Sequence, residues 1–192
     1  MKRTIILLIA LTLSTFVMAQ EKTKVKELGL TFRNLDGFGF SYKVGTEQSL
    51  WRFNALSFSG GSGDYEEGDY NKDNKSFGFS FNVGKEYRKL IAKNMEFRYG
   101  ADLSFGYSYD KGSSMSGSEG KSNNYYPGIN MVLGVNYIIN DHIILGAEIM
   151  PSIGYSFRKS TDNDGEKTTN KNNHFSYGFD SSSVLLSLAY RF

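Results

Sequence analysis

Residues 183–192 read SVLLSLAYRF. Counting back by twos gives Phe192, Tyr190, Leu188, Leu186 and Val184, all apolar, while Arg191, Ala189, Ser187 and Leu185 between them are smaller or more polar. Successive side chains of a strand point to opposite faces, so the stretch is one strand with a greasy face and a mixed face. A strand of that kind needs neighbours on both edges, and the rest of the chain is rich in segments of the same type.

Working backward and forward from it, alternation runs from Glu27 onward and predicts eight strands, at about 27–34, 38–45, 50–59, 76–84, 95–109, 125–139, 143–158 and 174–192. Phe38, Phe40, Tyr42 and Val44 oppose Gly39, Ser41 and Lys43; Phe77, Phe79, Phe81 and Val83 oppose Gly78, Ser80 and Asn82. The third segment breaks parity after Ala55, where Leu56 and Phe58 switch to the apolar set, so a bulge is expected near Leu56. The fifth presents Met95 to Tyr109 on alternate positions, and the sixth presents Ile129 to Ile139 with Tyr125 and Tyr126 above them. The seventh presents Ile143 to Phe157, passing through Pro151. Aromatics gather at the ends of these rows and aliphatics hold the middle, as a lipid-facing surface with interfacial girdles requires.

The composition agrees. Glycine at 21 residues and aromatics at 15% suit many strands with an aromatic belt, and proline occurs only twice. The chain has no cysteine, which removes disulfides and thiolate metal sites. At the N-terminus, Lys2 and Arg3 precede an apolar run from Ile5 to Val17, and Val17-Met18-Ala19 ends on a small residue. This is the pattern of a secretory signal peptide cut after Ala19, leaving residues 20–192 as one β-barrel domain. Removing Lys2 and Arg3 brings 22 basic residues level with the 20 acids, so the charge balance gives no sign of a nucleic-acid partner.

Taken with a periplasmic N-terminus, the connections 35–37, 60–75, 110–124 and 159–173 face outward, and 46–49, 85–94 and 140–142 face the periplasm. Long outer and short inner connections are the asymmetry of outer-membrane barrels. The segment 85–94 is the exception, and Leu90 and Ile91 mark it as a strand extension or a short helix. Lys43, Arg52, Glu96, Arg98, Asp102, Glu148 and Arg158 fall on the inward parity among Gly and Ser. Eight strands leave an interior just wide enough for side chains to fill, so these charges are expected to pair and plug the lumen. A narrow path for small solutes is the rival reading of the same residues.

The region from Glu27 to Phe192 resembles the small OmpA/OmpX-type outer-membrane barrels. The resemblance rests on the terminal Leu186-Ser187-Leu188-Ala189-Tyr190-Arg191-Phe192, the alternating strands and the loop asymmetry. It implies an all-β fold, an eight-stranded antiparallel transmembrane up-and-down barrel in a bacterial outer membrane, with both termini periplasmic. It also implies contact with outer-membrane lipid and lipopolysaccharide, and reading of the C-terminal strand by the barrel-assembly machinery. Such a chain is expected to be a monomer with no cofactor, and an extracellular partner would meet it at 60–75, 110–124 or 159–173. Its function is then structural or one of surface interaction.

Catalysis has to be argued from sites, because the fold hosts many roles. His142 lies in the turn Asn140-Asp141-His142, whose residues are ordinary turn formers. His174-Phe175-Ser176 puts an imidazole and a hydroxyl on one face, which resembles the His-x-Ser pair of lipid A deacylase barrels. Such a pair needs an acid, and only Glu148 or Asp180 offers one, fixed by no motif. The expectation is therefore a non-enzyme, with a lipid-A-modifying hydrolase using His174 and Ser176 as the alternative. Two acidic clusters, Asp64/Glu66/Glu67/Asp69/Asp73 and Asp162-Asn163-Asp164-Gly165-Glu166, carry oxygen ligands suited to hard cations. The second lacks the EF-hand glutamate, since Lys171 stands in its place, and lysines 72, 75, 167 and 171 are interleaved. Solvated loops with no metal site are expected.

Overall fold

In the computed structural model, residues 24–33, 37–67, 70–113, 119–164, 166–179 and 183–192 are described. The leader, residues 1–19, lies outside them, as do most of the connection 35–37 and Asp180. Ten strands form: β1 (Val25–Arg33), β2 (Gly37–Thr46), β3 (Ser49–Glu67), β4 (Tyr70–Ala92), β5 (Met95–Ser113), β6 (Glu119–Ile138), β7 (Ile143–Ile149), β8 (Ser152–Asp164), β9 (Glu166–Gly178) and β10 (Val184–Arg191). β7 and β8 are one stave interrupted at Met150-Pro151, where proline has no N–H for the ladder. β9 and β10 are the two parts of the next stave. Eight antiparallel staves close into a barrel, as the alternation predicts.

Closure is made by the stretch with which the sequence is best read. β10 pairs with β1, placing Tyr190 opposite Leu28 and Leu188 opposite Leu30, and on its other edge with β7, placing Leu188 opposite Leu145. The backbone N–H of Phe192 adds a bond of 2.9 Å to the carbonyl of Lys26. Parity then sets the two faces. Leu103 is 66% exposed on the outside while Arg52 is 1% exposed on the inside. A soluble barrel would show the reverse.

Three local expectations are settled by register. The bulge falls between Ala55 and Ser57, but Leu56 turns inward and packs against Val132, Met150 and Leu185, so it does not join the outer apolar row. Of the two readings of 85–94 the strand extension holds and the helix does not: β4 continues to Ala92, with a second bulge near Leu90. Tyr126, expected outside, is on the inward parity of β6, two residues from Asn124, and lines a cavity inside the barrel.

The outer connections are corrected more broadly. A spanning strand needs about 9–11 residues, which β1 and β2 meet with 9 and 10 residues. β3, β4, β5 and β6 have 19, 23, 19 and 20 residues, so their upper halves stand clear of the spanning band. With β8 and β9 they make a six-stranded curved hood, built from hairpins in segments the sequence reads as loops. Among the described residues, β2 pairs with β3 no higher than Ala55, and neither β1 nor β2 enters the hood.

Candidate functional site

The lumen is built in layers. At the rim that carries the termini, Val25, Leu50 and Ile144 point inward and are buried. Above them lies a charged layer in which Glu27, Glu86, Glu96, Asp102 and Glu148 face Lys43, Arg52, Arg88, Arg98 and Arg191. Among the described residues, five charges of each sign leave the layer neutral. Leu56, Val132, Met150 and Leu185 close it on the side of the hood.

Each charge is there because its strand alternates. Arg52 follows the outward Trp51 and precedes the outward Phe53, and Arg98 sits between Phe97 and Tyr99. Arg52 holds Glu148 through two bonds, Nη1 to Oε2 at 3.1 Å and Nη2 to Oε1 at 2.9 Å. The same guanidinium reaches Glu86 at 3.0 Å and stands 3.2 Å from Asp102. Arg88 makes a second fork, to Glu27, with both N–H groups at 2.7 Å, and its Nε donates to Glu86 at 2.7 Å. Lys43 donates to Glu86 at 2.9 Å. Arg191 of the closing strand donates to Glu27 at 2.9 Å, and Asn136 donates to Glu96 at 3.0 Å. Fork geometry and shared carboxylates offset the large cost of taking these charges out of water.

Six of the seven inward charges expected from sequence enter this layer, and Arg158 does not. It is exposed in the hood, where its Nε donates to Ser122 Oγ at 3.2 Å. Four members were missed. Glu86 and Arg88 were hidden by the reading of 85–94 as a connection, although they continue the parity of Ser80, Asn82 and Gly84. Glu27 and Arg191 sit at strand ends, on the parity opposite Leu28 and Tyr190, and that parity was the available signal.

Among the described residues, cavities open on the hood side of this layer. One of 280 Å³ is lined by Leu56, Asn82, Tyr126, Asn130 and Met150, among others. A wider one of 610 Å³ opens within the hood and includes Asp110, Lys111, Arg158 and Asp162 in its wall.

His174 and Ser176 are exposed on β9, and among the described residues no triad is assembled around them. Ser176 Oγ donates to the carbonyl of Gly154 at 3.4 Å, and Ser156 Oγ donates to the backbone carbonyl of His174 at 3.5 Å. Glu148 is locked by Arg52 and lies eight residues below Ser156, the partner of His174, or roughly 25 Å at strand rise. Asp180 is outside the described residues. His142 sits at the opposite rim, its Nδ1 2.9 Å from the carbonyl of Arg191 and its ring stacked on Tyr190 at 5.2 Å. Asn140 Oδ1 accepts from the N–H groups of His142 and Ile143, which is the turn role expected of it. The side chains of Asp64, Glu66, Glu67, Asp69, Asp73, Asp164 and Glu166 lie outside the described residues. Among the described residues, no three His, Cys, Asp or Glu side chains gather as a metal would need.

No protein-family model matches the chain, and no curated protein does. Solved structures that align with it include a major outer membrane protein from Thermus thermophilus, at 14% identity over 88% of this chain and 98% of that one, with a TM-score of 0.44. Ail, the attachment invasion locus protein of Yersinia pestis, aligns at 14% identity over 88% and 95%, with a TM-score of 0.36. Neisserial surface protein A aligns at 18% identity over 88% and 92%, with a TM-score of 0.27. The fold rests on the chain's own closed register, its apolar exterior and its ion-paired interior. That architecture is a closed, eight-stranded antiparallel β-barrel with the apolar exterior and polar interior of a membrane-spanning one.

Proposed function

We propose that this chain is a non-enzymatic barrel, closed to solutes, whose role is structural or one of surface interaction through the hood. The hood faces the exterior and the two termini face the periplasm. Supporting the reading is one observation above others: a neutral, ion-paired layer fills the lumen between two apolar layers. A hydrated ion crossing it would have to part forked Arg–carboxylate pairs in a region of low dielectric, where leaving a charge unpartnered is very costly. The barrel wall contacts outer-membrane lipid and lipopolysaccharide, β10 is the strand offered to the assembly machinery, and any extracellular partner meets the hood hairpins. The protein works as a monomer and needs no cofactor.

Single-channel recording of the purified, reconstituted chain tests the closed lumen. No steady conductance is expected, and a reproducible open level would replace this reading with that of a channel. Release of fatty acid from lipid A, abolished by His174→Ala, would overturn the non-enzymatic reading.

A further inference from the structure

Above the ion-paired layer the inward parity turns from charged to neutral. Register lays these residues out in rows: Asn82 is opposite Ser104, and Ser104 is opposite Gly128. One row nearer the hood, Ser80 is opposite Gly106 and Gly106 is opposite Tyr126; one row nearer the layer, Asn130 is opposite Ser152. Small side chains on neighbouring staves leave the 280 Å³ cavity between them, just under the ~300–1,000 Å³ of small-molecule sites. Leu56 and Met150, packed with Val132 and Leu185, shut it toward the ion-paired layer.

Two residues of its wall are placed for a ligand. Asn82 is 2% exposed, yet its Nδ2 makes no hydrogen bond within the protein. A buried donor left unpaired is costly, and an acceptor held in the cavity removes that cost. Tyr126 is the reverse case, an aromatic on the inward parity that is 46% exposed to lumen space instead of lipid. A Cβ added at Gly106 would stand 3.4 Å from its Cδ2, so the ring leans over a residue with no side chain. Phe105, also in the wall, belongs to the outer row, 5.8 Å from Phe81, which leaves Tyr126 as the aromatic platform. Among the described residues of the wall Arg33 alone is charged, and it has an interaction partner already.

We infer that this cavity is a binding site for one small uncharged sugar, entered from the hood. Hydroxyl and carboxamide groups both donate and accept, and Ser80, Asn82, Ser104, Asn130 and Ser152 set them on four strands around the space. A sugar ring carries hydroxyls around its rim to meet such a circle, and one of them accepts from Asn82 Nδ2. Its C–H face is apolar and lies against the ring of Tyr126. A nucleobase presents two aromatic faces, for which the wall has one platform, and an ionised ligand finds no free counter-charge among the described residues of the wall. The site goes beyond the surface role proposed above and rests on its closed lumen: with the floor shut, the occupant is held and not passed.

The test uses the full-length chain folded in an amine-oxide detergent, whose head group carries no sugar, and follows binding by saturation-transfer NMR. The probes are glucose, galactose, mannose and N-acetylglucosamine, with glucuronate and glucosamine as charged counterparts. At least one neutral sugar is expected to bind saturably, and the charged counterparts at least about tenfold more weakly. Asn82→Leu and Tyr126→Leu each weaken binding by at least about tenfold, and Tyr125→Leu, one residue away on the outer face, leaves it unchanged. Heat-dependent gel mobility shows which variants are folded, and either wall variant carries the test if the other does not refold. No saturable binding of any neutral sugar up to about 10 mM overturns the inference. So does wild-type affinity in both wall variants, or an equal loss in Tyr125→Leu. Conductance recorded on the same preparation separates the two readings: a shut lumen without binding removes the site alone, and a lumen that passes the sugar removes the closed floor on which both rest.

Discussion

Arg52 and Glu148 meet across the full width of the lumen. They lie on β3 and β7, four staves apart in a barrel of eight, and are joined by two bonds of 3.1 and 2.9 Å. A bond of this kind constrains barrel shape as well as charge, because it ties opposite walls at a fixed separation. The Glu27–Arg88 fork spans three staves, from β1 to β4.

Removing one end of the tie should therefore be worse than removing both. Arg52→Met leaves Glu148, Glu86 and Asp102 buried with one cation fewer, a loss of about 3–5 kcal/mol in the unfolding free energy. The double change Arg52→Met/Glu148→Met restores the neutrality of the layer and recovers part of that loss. Urea-dependent unfolding of the two variants in the same lipid measures the difference. Equal destabilisation in both would show that the pair adds nothing beyond packing.

Space for the network comes from small residues on the facing strands. A Cβ added at Gly146 would lie 2.8 Å from Nη2 of Arg98, and one added at Gly134 would lie 3.0 Å from its Nε. Real Cβ atoms are not found so near to a fixed neighbour, and Arg98 is held by Glu148 at 3.2 Å. Gly146→Val is expected to displace the guanidinium and to cost on the order of 1–3 kcal/mol by overpacking. Gly63→Val in the hood, where an added Cβ meets nothing, is the matched control. Unfolding midpoints of the two variants decide it.

The sequence carried the barrel because period-2 alternation is a direct record of which side of a wall each residue faces. Phe77, Phe79 and Phe81 against Gly78, Ser80 and Asn82 needed no partner to be read. The hood was less legible because 60–75, 110–124 and 159–173 are full of Gly, Ser, Asn and Lys, and solvated strands and solvated loops share that composition. Glu86 and Arg88 fell in the gap between these cases, since Leu90 and Ile91 mark 85–94 as a strand extension or a short helix and parity assigns an inward face only to the first. Pairing was not legible at all. Parity places Arg52 and Glu148 inside, but which carboxylate Arg52 takes depends on the stagger of the closed sheet.

The seam makes a separate prediction. Arg191 is the last residue of β10, and its bonds to Glu27 at 2.9 Å and Glu96 at 3.3 Å tie the last stave to β1 and β5. Replacing it by Gln keeps a donor but removes the charge opposite two carboxylates. The loss of charge-assisted bonds is expected to cost about 1–3 kcal/mol. It falls on closure, so the yield of heat-resistant barrel after refolding drops while the strand content by circular dichroism is retained. A variant that refolds with wild-type yield would remove Arg191 from the closing step.

The ten members of the ion-paired layer all lie below the hood, and this predicts how the molecule tolerates truncation. Phe157 is opposite Asn173, so joining these two positions by a short turn in place of residues 158–172 removes the end of the β8–β9 hairpin and leaves its lower register whole. The ion-paired layer, the β1–β10 seam and the outer apolar band are untouched. The shortened chain is expected to refold with an unchanged midpoint, within about 0.5 kcal/mol, as surface changes usually do. Loss of folding would mean that the hairpin helps to close the barrel. Retained folding with lost surface binding would divide the chain into a wall that spans and a hood that acts.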